Sequence, residues 1–183
     1  MIQDYNHDEH LHRFACWTAS RAAQRGWGKA TVETITRAIE KVKFPSSLRA
    51  LYDRSPNVVD FDDWHQATFE ELKVALVDQG IEPKSITYGR VAKIIAIYIK
   101  TVFISNDPTS QLARVAHPPI DGILLRNIKS SEEGKKYGIQ YPKEVGVNWT
   151  KFDKDGYYTV VKFLRSTNGD KPFWQVEAFW QIG

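Results

Sequence analysis

Histidine and carboxylate side chains come together at two places in this chain. In Arg114-Val115-Ala116-His117-Pro118-Pro119-Ile120-Asp121, the prolines break a helix at His117 and place Asp121 in the first turn of the next one. At that spacing a carboxylate can orient an imidazole for acid–base work, with His117 and Asp121 as catalytic candidates. A protonated His117 capping the preceding helix is the plainer reading of the same residues. The second place is the N-terminal His7-Asp8-Glu9-His10-Leu11-His12. Two imidazoles three positions apart on a helix can reach one ion, which makes His7, Asp8 and His10 metal-ligand candidates, although the zincin order is absent. A polar, frayed terminus is the alternative. Together these sets describe a metal-dependent phosphohydrolase or nuclease. A divalent metal enters only under that reading, and no other cofactor is expected.

A different chemistry is written in Arg25-Gly26-Trp27-Gly28-Lys29-Ala30-Thr31-Val32-Glu33-Thr34-Ile35. Two glycines let a backbone approach a phosphate, a helix start offers free amides with a favourable dipole, and Lys29 adds a point charge. These residues resemble the second half of the helix-hairpin-helix nucleic-acid-binding motif, whose loop reads glycine, apolar residue, glycine, then a helix with Lys, Thr or Ala, and Ile. The resemblance spans about ten residues, and Arg21 and Gln24 stand upstream where the family is usually apolar. It implies phosphate binding by Gly26, Gly28 and Lys29. Glycosylases with this motif add a catalytic Asp beyond the loop; Val58-Val59-Asp60 lies too far on to supply it. His7-Asp8 is similar to the metal-binding doublet of the all-α HD phosphohydrolases, which place a further His upstream.

Basic residues surround the glycine loop. Arg13, Arg21 and Arg25 share one side of the first helix with Trp17, and Arg37, Lys41, Lys43, Arg49 and Arg54 follow. A ring among cations can stack on a base while the cations hold phosphates. Acidic Glu33, Glu40 and Asp53 are interleaved, so a solvated face with Trp17 folded inward is the competing expectation. The binding set expected for DNA or RNA is therefore Trp17, Arg21, Arg25, Gly26, Gly28 and Lys29. A protein-interaction module, using the exposed share of six Trp and eight Tyr, stands as a third possibility.

The elements that would position these residues are helical. An uninterrupted stretch from about Asp8 to Arg25 carries Ala15, Ala19, Ala22 and Gly26 at helical spacing, a nearly flat face. Val32, Ile35, Ile39 and Val42 form the stripe of a second helix, making an αα-hairpin. A short helix opens at Pro45, and a longer one, capped by Asp60 or Asp62, runs to Asp78. Residues 86–104 are the most hydrophobic and read as a central buried helix, with a buried strand as the alternative for the second half. Arg90, Lys93 and Lys100 interrupt this stretch, so it falls short of a membrane span, and each cation must find water or an anion. Asp107-Pro108 reads as a helix start, as do Pro119 or Ile120, Asp155 and Asp170-Lys171-Pro172. Residues 130–148 read as a loop, with a short hairpin suggested by Tyr137, Ile139 and Tyr141.

Composition agrees. The chain has 183 residues, 42% hydrophobic and 26% charged, which fits a single globular domain and excludes a disordered or coiled-coil architecture. The lone Cys16 excludes an internal disulfide or a cysteine-based zinc site, and the polar start lacks a secretory h-region. The expectation is an all-α, cytoplasmic domain over 1–183, with about eight helices around the central one and no membrane partner. A net charge of +3 is too small to argue for nucleic acid, so its distribution must.

Overall fold

The protein is described by a computed structural model covering residues 5–136 and 148–181. It is an all-α bundle, with no strand among the described residues. Its middle is α5 (Tyr88–Ile99), capped by Thr87 and buried over nearly its whole circumference. The hydrophobic run continues through a π-helical segment, Lys100–Ile104, closed by a Ser105 N–H bond to the Lys100 carbonyl of 3.0 Å. The second half of this stretch is therefore helical and not a strand. No helix among the described residues is long and apolar enough to cross a membrane.

Around this axis the sequence builds its layers. α1 (His7–Ala23) starts at Asn6, whose side chain accepts from the Glu9 amide, and Asp8 and Glu9 complement its dipole. Ala15, Cys16, Ala19, Ser20 and Ala23 are buried, so this small-residue face lies closely on α5. Ala23 takes the place expected of Ala22 and Gly26, because the helix stops before Gly26. α2 (Val32–Lys41) completes the hairpin and packs Ile35, Ala38 and Ile39 toward α1 and α4 (Val58–Asp78). α3 (Phe44–Asp53) joins them.

Several helix starts differ from the sequence reading, each for a capping reason. α4 is capped by Asn57, and Asp60 closes a reciprocal box onto the Asn57 amide, which leaves Asp62 free for a tertiary role. Asp107 starts no helix, because its carboxylate is engaged by Thr109 and by the Tyr52 hydroxyl. α6 (Gln111–Val115) begins instead at Ser110. Asp121 is itself the N-cap of α7 (Gly122–Ser130). Asp153 caps α9 (Lys154–Asn168), and residues Phe173–Phe179 form a 3₁₀ turn rather than an α-helix. Within the expected loop, Glu132–Lys136 forms the short α8. Tyr137, Ile139 and Tyr141 lie outside the described residues.

Candidate nucleic-acid interface

The glycine loop is held by what it buries. Trp27 is 2% exposed, and its Nε1–H donates to the Ser85 hydroxyl at 3.1 Å. Arg90 of α5 reaches the same loop and donates to the carbonyls of Ala23, Arg25 and Gly26 at 3.4, 3.3 and 3.2 Å. Its cation thus finds the negative end of α1 instead of a carboxylate. With Trp27 turned inward, Gly26 and Gly28 face outward at positive φ, and an added Cβ at either would meet nothing within 4 Å. The glycines are required here by backbone conformation and not by a close protein neighbour.

Lys29 does not open a helix. The chain turns once more, and α2 starts at Val32 behind its N-cap Thr31, with Thr31 and Thr34 forming a reciprocal box. The Thr34 amide is thereby occupied, and Glu33 stands in the first turn where a phosphate would meet the dipole. The start of α2 is thus partly taken up by its own cap.

Side-chain cations line two adjoining cavities. One, of about 590 Å³, is bordered by the loop, residues 80–87 and the turn at Thr150-Lys151, with Lys29, Lys84 and Lys151 exposed. The other, of about 910 Å³, lies between the end of α1, α5, the start of α7 and residues 148–150, with Arg21, Arg25, Arg126 and Lys129 exposed. They share Gly26, Arg90 and Thr150. Among the described residues, with Arg90 and Lys93 included, the two cavities are lined by nine cations and two carboxylates, Glu82 and Asp121. Both carboxylates are engaged, Glu82 by Lys84 at 3.0 Å and Asp121 by buried Lys93 at 3.1 Å. Burial works to raise the Asp121 carboxyl, but Lys93, the Leu124 amide and Trp180 outweigh it and hold it below its ordinary range. The local excess of cations exceeds the net charge of the whole chain, +3, so positive charge is concentrated on this face.

Of the binding residues expected from sequence, Arg21, Arg25, Gly26, Gly28 and Lys29 border these cavities. Trp17 lies one helical turn before Arg21 and is 52% exposed, so it is not folded inward. The rest of the basic set disperses. Arg13 pairs with Glu9, Arg37 with Glu33 and Lys41 with Asp78, while Arg49 lies over the Tyr52 and Phe103 rings. Lys84, Arg126, Lys129 and Lys151 lie far from the glycine loop in sequence, and only the fold gathers them beside it.

His117 and Asp121 are not partners. Asp121 caps α7 with one oxygen, accepting from the Ile123 and Leu124 amides, while the other accepts from Lys93 and Trp180. His117 is 1% exposed and its Nε2 lies 2.8 Å from Asp62, whose carboxylate also receives both arms of the Arg165 fork at 2.9 Å. An anionic Asp62 fixes the proton on Nε2, so Nδ1 accepts from the Tyr157 hydroxyl at 3.1 Å. Beside it, fully buried His65 bonds to Tyr88 through Nδ1, and the Tyr88 hydroxyl passes its proton bond to Tyr158, which donates to the Asp62 carbonyl. His65 Nε2 has no hydrogen-bond partner among the described residues. This network joins α4, the His117 junction and α9 within the core.

The N-terminal set does not converge either. His10 bonds to the Tyr5 hydroxyl, His12 to that of Tyr98, and His7 and Asp8 are exposed. Among the described residues no three His, Cys, Asp or Glu side chains come together as metal ligands. No protein family, curated protein or solved structure matches the chain.

Proposed function

We propose that the chain binds DNA or RNA along the paired cavities, with Arg21, Arg25, Lys29, Arg126 and Lys151 holding phosphates. One observation carries this reading: among the described residues nine cations and two carboxylates line the adjoining cavities, an excess of positive charge that remains after Lys84 and Lys93 have paired with Glu82 and Asp121. Phosphate contacts of this kind release counterions and supply sequence-independent affinity. Trp27 and Arg90 serve the site by fixing the loop, which gives Gly26, Gly28 and Lys29 a constant position at its edge.

The test is fluorescence anisotropy with labelled oligonucleotides at about 50 and 200 mM salt. Affinity is expected to fall by about 0.7 to 0.9 log units per phosphate contact for each tenfold rise in salt. Arg21→Glu on α1 combined with Arg126→Glu on α7, both bordering the larger cavity, should weaken binding strongly, and Lys29→Glu by a smaller step. Absence of binding at the lower salt, or full affinity in the double variant, would overturn the proposal.

A further inference from the structure

Outside the cavities, α1 carries an aromatic surface that the core does not use. Phe14 and Trp17 are 51% and 52% exposed, although rings of this size normally bury most of their area. Their ring centres lie 6.3 Å apart with planes inclined by only 21°, a stacked pair of half-exposed rings that makes up the aromatic platform of this helix. Phe14, Trp17 and Arg21 follow at steps of three and four, one stripe on the outer side of the helix, opposite the buried Ala15, Ala19 and Ala23. Arg25 continues the direction beyond the helix end. The stripe runs from the platform into the larger cationic cavity, which Arg21 and Arg25 border.

We infer that this stripe selects single-stranded nucleic acid, with an unpaired base stacked on the Phe14–Trp17 platform and the adjoining backbone led past Arg21 into the cationic cavity. The inference rests on the nucleic-acid reading above and adds the form of strand. A base in a duplex has both faces covered by its neighbours, and an exposed ring outside the duplex meets only sugar and phosphate. A free base offers a π-face to any flat ring, which makes stacking tolerant of sequence, and nearby cations hold the strand to the platform. The charge gradient along the stripe favours this occupant over an apolar protein segment, which would leave Arg21 and Arg25 without counter-charges.

The experiment compares single strands, duplexes and single strands with an abasic stretch, by anisotropy at about 50 mM salt. Wild-type protein should prefer the single strand to the duplex, and Trp17→Ala should weaken single-strand binding about five- to a hundredfold. Trp17→Tyr should retain most of the affinity, because it keeps a ring. Abasic strands should bind wild type and Trp17→Ala alike, since the stacked base is gone. Trp17 is exposed, so these variants should fold, as circular dichroism and melting will show. Equal affinity for duplex and single strand, or unchanged single-strand affinity in Trp17→Ala while Arg21→Glu weakens it, would overturn the inference and leave the phosphate reading standing. No salt-sensitive binding by any probe would overturn both. Solution mass of the same variants gives the remaining outcome: a dimer dispersed by Trp17→Ala, with strand affinity unchanged, would assign the platform to self-association and overturn the inference.

Discussion

The Arg90 guanidinium is centred 5.1 Å from the Trp27 ring and donates to three carbonyls at the end of α1. Arg90 is thus a helix cap supplied from another helix, joining α5 to the loop that ends α1. Arg90→Met keeps the apolar stem and removes the cap, and should cost about 2 kcal/mol, since the bonds are charged but long. Arg90→Lys should recover only part, because one ammonium cannot span three carbonyls as the fork does. Urea denaturation measures both; a loss under about 0.5 kcal/mol in Arg90→Met would deny the capping role.

Asp62 holds the second tertiary staple. Burial works to raise its carboxyl, but the bonds from His117 and Arg165 outweigh it and hold the carboxyl well below the ordinary range. Asp62→Asn would leave the Arg165 fork without its anion and would put an amide N–H against another donor. The pair is about one-fifth exposed, so the loss should sit below that of a fully buried pair, at about 2 to 3 kcal/mol. The same denaturation series reads this, and Asp62→Asn should leave oligonucleotide affinity unchanged, because Asp62 borders neither cationic cavity.

The two core histidines make stability depend on pH. Burial holds His65 far below its ordinary value of 6.5, and it lowers His117 despite the opposing pull of Asp62. The unfolded chain therefore takes up protons near pH 6.5 that the folded chain refuses. Stability from these groups is complete above pH 6.5 and falls as pH drops below it, with a slope of up to about 2.7 kcal/mol per pH unit if both take part. Unfolding free energies at pH 7.5, 6.5 and 5.5 test the sign. A flat profile down to pH 5.5 would show that neither imidazole is held neutral by the fold.

Much of the fold was legible because helical period and glycine punctuation act locally. The stripe Val32, Ile35, Ile39 and Val42, the end of α1 before Gly26 and the run at 86–104 all follow from neighbouring residues. Helix starts were less legible, since Asp60, Asp107 and Asp155 are good caps by type, yet Asn57, Ser110 and Asp153 make the capping bonds. The candidate site divides in the same way. Arg21, Arg25 and the glycine loop form a local cluster, whereas Lys84, Arg126 and Lys151 reach the cavities only through tertiary packing. The prolines beside His117 mark it in the sequence, but Asp62, its carboxylate, is 55 positions away and gives no sequence signal.

Gly89 offers the sharpest test of how the cavities are built. It lies in the first turn of α5, where alanine would ordinarily favour the helix by about 1 kcal/mol. Here its amide donates to the Phe152 carbonyl at 3.2 Å, and the Thr87 hydroxyl donates to the Thr150 carbonyl at 2.8 Å, so the 149–152 turn lies directly on the helix start. A Cβ at Gly89 would come within 2.0 Å of the Trp149 carbonyl oxygen and 3.2 Å of the Phe152 Cβ. That neighbour is backbone and cannot rotate away. Gly89→Ala should therefore destabilise by about 2 to 3 kcal/mol, the reverse of its helix propensity. It should also weaken oligonucleotide binding, because the same turn carries Thr150 and Lys151 to the cavity wall. Gly28→Ala is the contrast: its backbone has φ of +39°, but open space surrounds it, so about 1 kcal/mol of conformational strain is the expected cost. If Gly89→Ala melts with Gly28→Ala or above it, the turn gives way easily and is not what holds the cavity wall in place.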